Sequence, residues 1–383
     1  MFAQYSALAI FVLAYGLFVF LPNRRSLVAV VAALLLVLTR TVSLHDAVIG
    51  INWNVMGIFV GMLVAADMFI ESRCPAYLAE VIVNRAPSTA WAILFICALT
   101  GFISAFVENV ATVLIVAPVA LSMAKKLKLN PVNMMIGIAI SSNLQGAATL
   151  IGDPPSMLLG GYAKMTFLDF FFYNGKPSIF FAVELGAVTS FLVLWWVFRT
   201  HRENVELVAV EKVNSWVPTI LLLLLIVCLA LSSFFDKGFS FLAGAICMLF
   251  GFIMLFYGHF IRKVHFVESI RKLDWDTTFF LMGVFVLVES LTLTGWIDGL
   301  SDFLSTHIGD RVFLGYTMLV VVSVIVSAFV DNVPYLAAML PVGVEMAHKL
   351  NMSPSLFLFG LLIGASLGGN VTPIGASANI VAC

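Results

Sequence analysis

Charge is what this sequence has least of: 11% of its 383 residues are Asp, Glu, Lys or Arg, against 62% hydrophobic. Mean hydropathy is +1.07. A soluble chain of this length could not cover its surface with so few charges, so the composition predicts an all-α polytopic membrane protein. Cysteine is sparse as well. Cys74, Cys97, Cys228, Cys247 and Cys383 are scattered, most of them inside apolar runs, which argues against a disulfide framework or a zinc site and reads them as small buried hydrophobes. No basic tract points to nucleic acid, and a net charge of −1 favours no class of partner. The start of the chain has neither a basic n-region nor a small-residue cleavage site, so it is read as a first membrane helix rather than a removed signal. HExxH, GxSxG and metal-spaced His pairs are missing, which argues against a membrane-embedded enzyme, and no cofactor is implied. A GxxxxGK[ST] loop is missing too, so an ATP-driven anion pump would need a partner ATPase, with this chain as its membrane channel subunit.

What is present is a long stretch that occurs twice. Ser104-Ala105-Phe106-Val107-Glu108-Asn109-Val110 returns as Ser327-Ala328-Phe329-Val330-Asp331-Asn332-Val333, at an offset of 223 (331 − 108). The register then holds without a gap through Pro118/Pro341, Pro131/Pro354, Gly137/Gly360, Gly146/Gly369, Thr149/Thr372 and Ile151-Gly152/Ile374-Gly375. Such a match is an internal duplication. Each copy places a carboxylate inside a hydrophobic run and a Gly-rich polar break inside the next run.

The first repeat covers residues 1–199, a polar linker residues 200–215, and the second repeat residues 216–383. A membrane span needs roughly 20 apolar residues. The run 88–127 is twice that length and is broken by Glu108-Asn109, so it reads as a re-entrant helical hairpin; 312–350 is its counterpart. The runs 131–163 and 353–383 read as broken helices. The linker, with Arg202, Glu203, Glu206, Glu211 and Lys212, is the most polar stretch and is expected in the cytoplasm. Placing the N-terminus outside a cell membrane puts 14 Lys and Arg inside, Arg24 and Arg25 among them, and 6 outside. In that layout the first hairpin opens to the cytoplasm and the second to the exterior, so the repeats are inverted.

Inverted repeats with re-entrant hairpins and broken helices form the plan of a secondary transporter. Backbone groups freed by a break must face protein, ligand or water; half-helix N-termini suit anions and freed carbonyls suit Na⁺. Glu108 and Asp331 are the sharpest residues, because a carboxylate at membrane depth is costly unless it is paired, protonated or holding an ion. Each is read either as a cap of a half-helix or as a cation or proton site. Asn143, Thr149, Asn370, Thr372, Ser377 and Asn379 supply oxygens on the facing breaks, and capping is the competing reading for any one of them. Asp67 and Glu289 sit at matching mid-segment places and are candidates for a proton relay, with an interfacial structural role as the stronger alternative. Gly57/Gly61 and Gly364/Gly368 fit GxxxG and report close helix packing.

The segments Phe106–Val110 with Gly146–Ser156, and Val330–Pro334 with Gly368–Asn379, resemble the ion transporter superfamily. Within it they are most similar to the branch of arsenite permeases, NhaD-type Na⁺/H⁺ antiporters and the melanosomal P protein, which carries a citrate-transporter-like domain; divalent-anion:sodium symporters are more distant relatives. The resemblance implies two sodium-type sites with substrate between them. Carried over, Asn109 with the Asn143–Gly152 break, which holds Asn143, Gly146, Thr149 and Gly152, forms one, and Glu108, Thr112 and Asp153 are candidates beside it. Asn332 with the Gly368–Asn379 break, which holds Gly369, Asn370, Thr372, Gly375, Ser377 and Asn379, forms the other, with Asp331 a candidate beside it; Glu108 and Asp331 stand where the divalent-anion:sodium symporters carry a hydroxyl. Na⁺ is expected at Asn109/Asn143 and Asn332/Asn370. Related proteins are often homodimers, and no interface is legible in these residues.

The sequence therefore predicts an ion-coupled transporter moving a small anion with Na⁺ or H⁺ across the lipid bilayer by alternating access, with a Na⁺/H⁺ antiporter as the second reading. At the 223 offset the counterpart of Arg199 would be residue 422, beyond Cys383, so the second repeat is expected to be truncated by one span.

Overall fold

The computed structural model describes residues 2–127, 130–201, 203, 212–236, 238–263, 266–308, 311–373 and 375–383. Arg202, Glu206, Glu211 and Ile374, used above, lie outside the described residues, as do Lys128 and Lys237, two of the charges counted for orientation. The first repeat runs α1 (Phe2–Phe20), α2 (Arg25–Leu38), α3 (Leu44–Gly50), α4 (Trp53–Glu71), α5 (Cys74–Asn84), α6 (Thr89–Ser104), α7 (Asn109–Leu127), α8 (Val132–Gly146), α9 (Pro154–Ala163) and α10 (Ile179–Phe198). The second runs α11 (Val217–Ser232), α12 (Leu242–Phe260), α13 (Phe266–Lys272), α14 (Trp275–Leu293), α15 (Trp296–Ile308), α16 (Val312–Ser327), α17 (Asn332–Lys349), α18 (Ser355–Gly369) and α19 (Ser377–Ala382). A two-residue antiparallel ribbon, β1 (Phe172–Tyr173) with β2 (Lys176–Pro177), precedes α10.

The duplication reaches the helix ends. Both ends of α6 and α8 recur in α16 and α18 at the 223 offset, because the same local signals recur: Ser104/Ser327 before each turn, Asn109/Asn332 after it, and Gly146/Gly369 at each break. α3 and α4 match α13 and α14 at 222. The hairpins are α6–α7 and α16–α17. The broken helices are α8–α9 and α18–α19. Among the described residues six helices are long and apolar enough to cross a membrane, α1, α4, α7, α10, α12 and α14. α4 and α14 are 67% buried over their apolar windows and form the centre; α1 at 17% and α10 at 11% present Phe20, Leu185 and Trp196 outward, as a lipid-facing surface requires.

The repeats pack by exchange. α4 crosses α12 of the other repeat, and α14 crosses α2; α7 meets α19, and α17 meets α9. This is the contact pattern of a two-fold relation between the halves. Gly61 faces the Cys247 carbonyl and lies 2.7 Å, at a notional Cβ, from Cys247 Cβ; its counterpart Gly283 stands at the same 2.7 Å from Ala29 Cβ. Gly57 opposes Gly244 Cα at 3.1 Å, and Gly364 opposes Ser323 Cβ at 2.6 Å across the α16–α18 crossing. Both GxxxG pairs therefore mark backbone-close crossings. The linker is fastened at its described ends: Thr89 N donates to Glu203 O at 3.0 Å and Asn214 N to Ser72 O at 2.9 Å.

Candidate transport site

Four helix N-termini aim at one small cavity of about 50 Å³, and each is capped by a carboxylate that lines it. At the first hairpin tip Glu108 Oε2 accepts the Ala111 N–H at 2.9 Å. At the second, Asp331 Oδ1 accepts Val333 N–H at 3.0 Å. Asp153 Oδ1 caps α9, accepting Ser156 N–H at 3.0 Å and Ser156 Oγ–H at 2.6 Å. Asp274 caps α14, accepting Thr277 N–H at 2.9 Å on Oδ1 and Thr277 Oγ–H at 2.6 Å on Oδ2. The capping role of Glu108 and Asp331 is thus realised, and the same side chains line the cavity together with Asn109, Asn332, Asn143 and Ser377. The space is large enough for water or a small ion.

Among the described residues, two oxygens in this lining, Asn143 Oδ1 and Asp153 Oδ2, accept no hydrogen bond of ordinary geometry, although the two residues are only 3% and 1% exposed; the Asn109 side chain lies beside the Asp153 carboxylate. An orphaned buried acceptor is costly unless a donor or a cation meets it. The donor set here, carboxylate and amide oxygens, is that of a hard cation such as Na⁺. Asn143 Nδ2 is used elsewhere: it donates to Asn370 Oδ1 at 3.0 Å and to Asn379 Oδ1 at 2.7 Å, so the two breaks are bonded to each other. Asn379 Nδ2 then ties down Gly369 O at 2.6 Å and Thr372 O at 2.9 Å.

The remaining residues singled out in the sequence position this lining without belonging to it. Thr149 donates to Ala105 O and Thr372 to Ala328 O, the same clasp in each repeat between break and hairpin. Thr112 donates to Val107 O at 3.3 Å within its hairpin. Ser104 Oγ donates to Asn109 Oδ1 at 2.6 Å and Ser142 Oγ to Asn109 O at 3.2 Å, which hold the first tip. Gly146 makes room for that tip, since a Cβ there would meet all three outer atoms of the Asn109 amide, its Nδ2 at 2.7 Å; Gly375 sits 2.8 Å, at a notional Cβ, from Gly369 O, and Gly152 abuts Gly146 O. Gly146→Ala is expected to displace Asn109 and cut transport at least tenfold while the helices stay folded, read by flux and by thermal melting of the same sample. A variant with normal flux would show that the tip is not placed by this contact. Asp67 and Glu289 lie away from the cavity. Asp67 is beside Glu71 and Lys272, and Glu289 borders a separate open cavity of about 610 Å³ with Asn52, Asn54 and Lys164.

Sequence reasoning missed Arg25, Asp274 and Thr277. Arg25 reads as a cytoplasmic loop charge. In the structure its Nη1 donates to Asp331 Oδ2 at 2.6 Å and to Ser377 Oγ at 3.3 Å, and its Nη2 donates to Thr277 Oγ1 at 3.0 Å. The available signal was that Arg25 opens an apolar run too short for an ordinary span. Asp274 was signalled by its 222-offset partner Asn52, which caps α4 by accepting the Val55 N–H at 3.1 Å. The cavity lining carries the carboxylates Glu108, Asp153, Asp274 and Asp331 against the single guanidinium of Arg25.

The chain can be set beside known proteins on these features. A family model described as citrate transporter matches residues 15–349 and 317–382. An uncharacterized transporter of Mycobacterium tuberculosis is 28% identical over 384 residues, covering 98% of this chain and 89% of that protein. The P protein of Mus musculus is 27% identical over 461 residues, covering 98% of this chain and 55% of that protein. Among solved structures, the YdaH transporter of Alcanivorax borkumensis shares the fold, with a TM-score of 0.58 at 13% identity over 85% of this chain and 76% of that one.

Proposed function

The chain belongs to the citrate transporter family of membrane transporters, and we propose that it moves a small anion coupled to Na⁺ or H⁺ by alternating access. The observation that carries this reading is the cavity where both hairpin tips and both broken helices meet, with two orphaned oxygens and more carboxylates than cations. Helix N-termini attract an anion. The carboxylates repel it, by about 4 kcal/mol per close pair of like charges at 4 Å and an effective dielectric of 20. A cation bound against Asp153 and Asn143, or a proton on Glu108, removes part of that repulsion, so the cation enters first and the anion follows. This order is coupling: without the cation the anion is not held, and without the anion the tips keep a bound positive charge in place. Inverted orientation of the two hairpins, one reaching the cavity from each face, supplies the two access routes.

The experiment is flux into proteoliposomes, with citrate and other small carboxylates as labelled probes and Na⁺ and pH gradients imposed separately. Uptake is expected to accelerate under one gradient and to collapse when an ionophore dissipates it. Gradient-independent uptake would overturn the coupling. The excess of carboxylates in the cavity also favours a second reading, a Na⁺/H⁺ antiporter. It predicts Na⁺-driven proton flux with no carboxylate present.

A further inference from the structure

We propose that Arg25 is a tethered cation that permanently fills, in the second repeat, the place that a mobile coupling cation takes in the first; this rests on the cation-coupled reading above. The two hairpin acids are counterparts, Glu108 and Asp331, but their surroundings are not. Asp331 Oδ2 lies 2.6 Å from Arg25 Nη1. The same guanidinium reaches Ser377 Oγ at 3.3 Å, Thr277 Oγ1 at 3.0 Å and Asp276 Oδ2 at 3.8 Å, and lies 5.2 Å from the centre of the Phe280 ring. Asp276 is itself held by Ser26. All three nitrogens therefore have a partner, and the side chain is only 20% exposed. A guanidinium does not deprotonate in a protein, so this charge stays through the cycle.

Among the described residues the first repeat has nothing equivalent. The exchange-related crossings set the correspondence: Ser26 meets Asp276 as Gly244 meets Asn54, whose Oδ1 accepts the Gly244 N–H at 2.7 Å. Likewise Ala29 meets Gly283 as Cys247 meets Gly61. Counting from these pairs, Arg25 corresponds to Ala243, a buried alanine. Among the described residues Glu108 thus has no side-chain cation of its own, and Asp153 Oδ2 and Asn143 Oδ1, which accept no hydrogen bond of ordinary geometry, lie in the same lining. One repeat offers oxygens that lack a cation, and the other has a cation already built in. The chain therefore carries one mobile cation per cycle where a symmetric duplication would carry two, and Asp274, the remaining acid that shares the cavity with Arg25, stays as a helix cap.

Chemical rescue tests this. Full-length Arg25→Ala is purified in detergent, and its Tm is followed as guanidinium chloride or NaCl replaces choline chloride at constant ionic strength in the low millimolar range. Arg25→Ala is expected to melt below the parent chain and to regain Tm saturably with either cation. The parent chain gains nothing from guanidinium. Arg25→Ala combined with Asp331→Asn melts above Arg25→Ala alone and loses the guanidinium response. A missing guanidinium response, or one that persists when Asp331 is also neutralised, overturns the proposal. If Arg25→Ala cannot be purified, recovery of the double variant as a folded protein supports it, and failure of both overturns it. The first-repeat site is read separately, as Na⁺ stabilisation of the parent chain that Glu108→Gln removes; its absence would count against the coupling reading and leave the Arg25 result to stand by itself.

Discussion

Glu108→Gln lowers ion-coupled uptake roughly a hundredfold and leaves the residual uptake indifferent to the driving gradient. Removing a charged partner of a bound cation forfeits on the order of 3 kcal/mol, and each 1.4 kcal/mol is about tenfold. The fold should scarcely notice. Glu108 Oε2 serves α7 by accepting the Ala111 N–H, and a glutamine carbonyl oxygen can do the same. Cap losses cost about 1 kcal/mol even when complete, so the melting temperature stays close to that of the parent chain. The discriminating measurement is the pair of readings on one preparation, flux in proteoliposomes and Tm in detergent. Normal transport kinetics with unchanged ion dependence would reduce Glu108 to a cap and remove it from coupling.

Gly61→Ala fails at the level of the fold. A Cβ at residue 61 would enter the backbone of Cys247, where α4 and α12 cross, and backbone cannot rotate aside as a long side chain can. Overpacking of this kind costs about 1–3 kcal/mol and more where nothing yields. The α4–α12 crossing is one of those that join the two repeats, so its loss loosens their common interface rather than an edge. The expected result is loss of the monodisperse peak on size exclusion in detergent, with Tm lowered by several degrees in what remains. Gly16→Ala is the control: nothing lies within 4 Å of a Cβ there, and the substitution should be neutral. If the two variants behave alike, the crossing tolerates separation and the glycine is not needed.

The plan of the chain was open to reading because its signals are local. Gly146, Gly152, Asp153 and Pro154 stop one helix and start the next within a few residues, and the second copy repeats the two glycines at a fixed offset as Gly369 and Gly375, with Ala376 and Ser377 where Asp153 and Pro154 stand. The helix ends fell where those residues put them. The roles of Thr112, Thr149 and Thr372 were harder to read. A hydroxyl near a break suits an ion and a neighbouring carbonyl equally, and in the structure all three bond to carbonyls. Arg25 was hidden for a different reason. Its partner Asp331 lies 306 residues away, and a basic residue after Pro22 looks like any charge that orients a membrane helix. The bonding of Asn143 to Asn370 and Asn379 was hidden in the same way, because it joins residues of opposite repeats that no offset pairs.

The exchange of helices between the repeats also bears on how the chain is made. The glycine face of α4 is finished early, but the surface it fits arrives with Cys247, 186 positions later (247 − 61). At about 5–20 residues per second of synthesis, that notch stands in the bilayer without its partner for on the order of ten seconds or more. The N-terminal half therefore leaves the ribosome as an unfinished bundle whose central helix is still waiting. Whatever holds newly inserted helices in the membrane has to keep α4 from pairing with the wrong neighbour until α12 is threaded in.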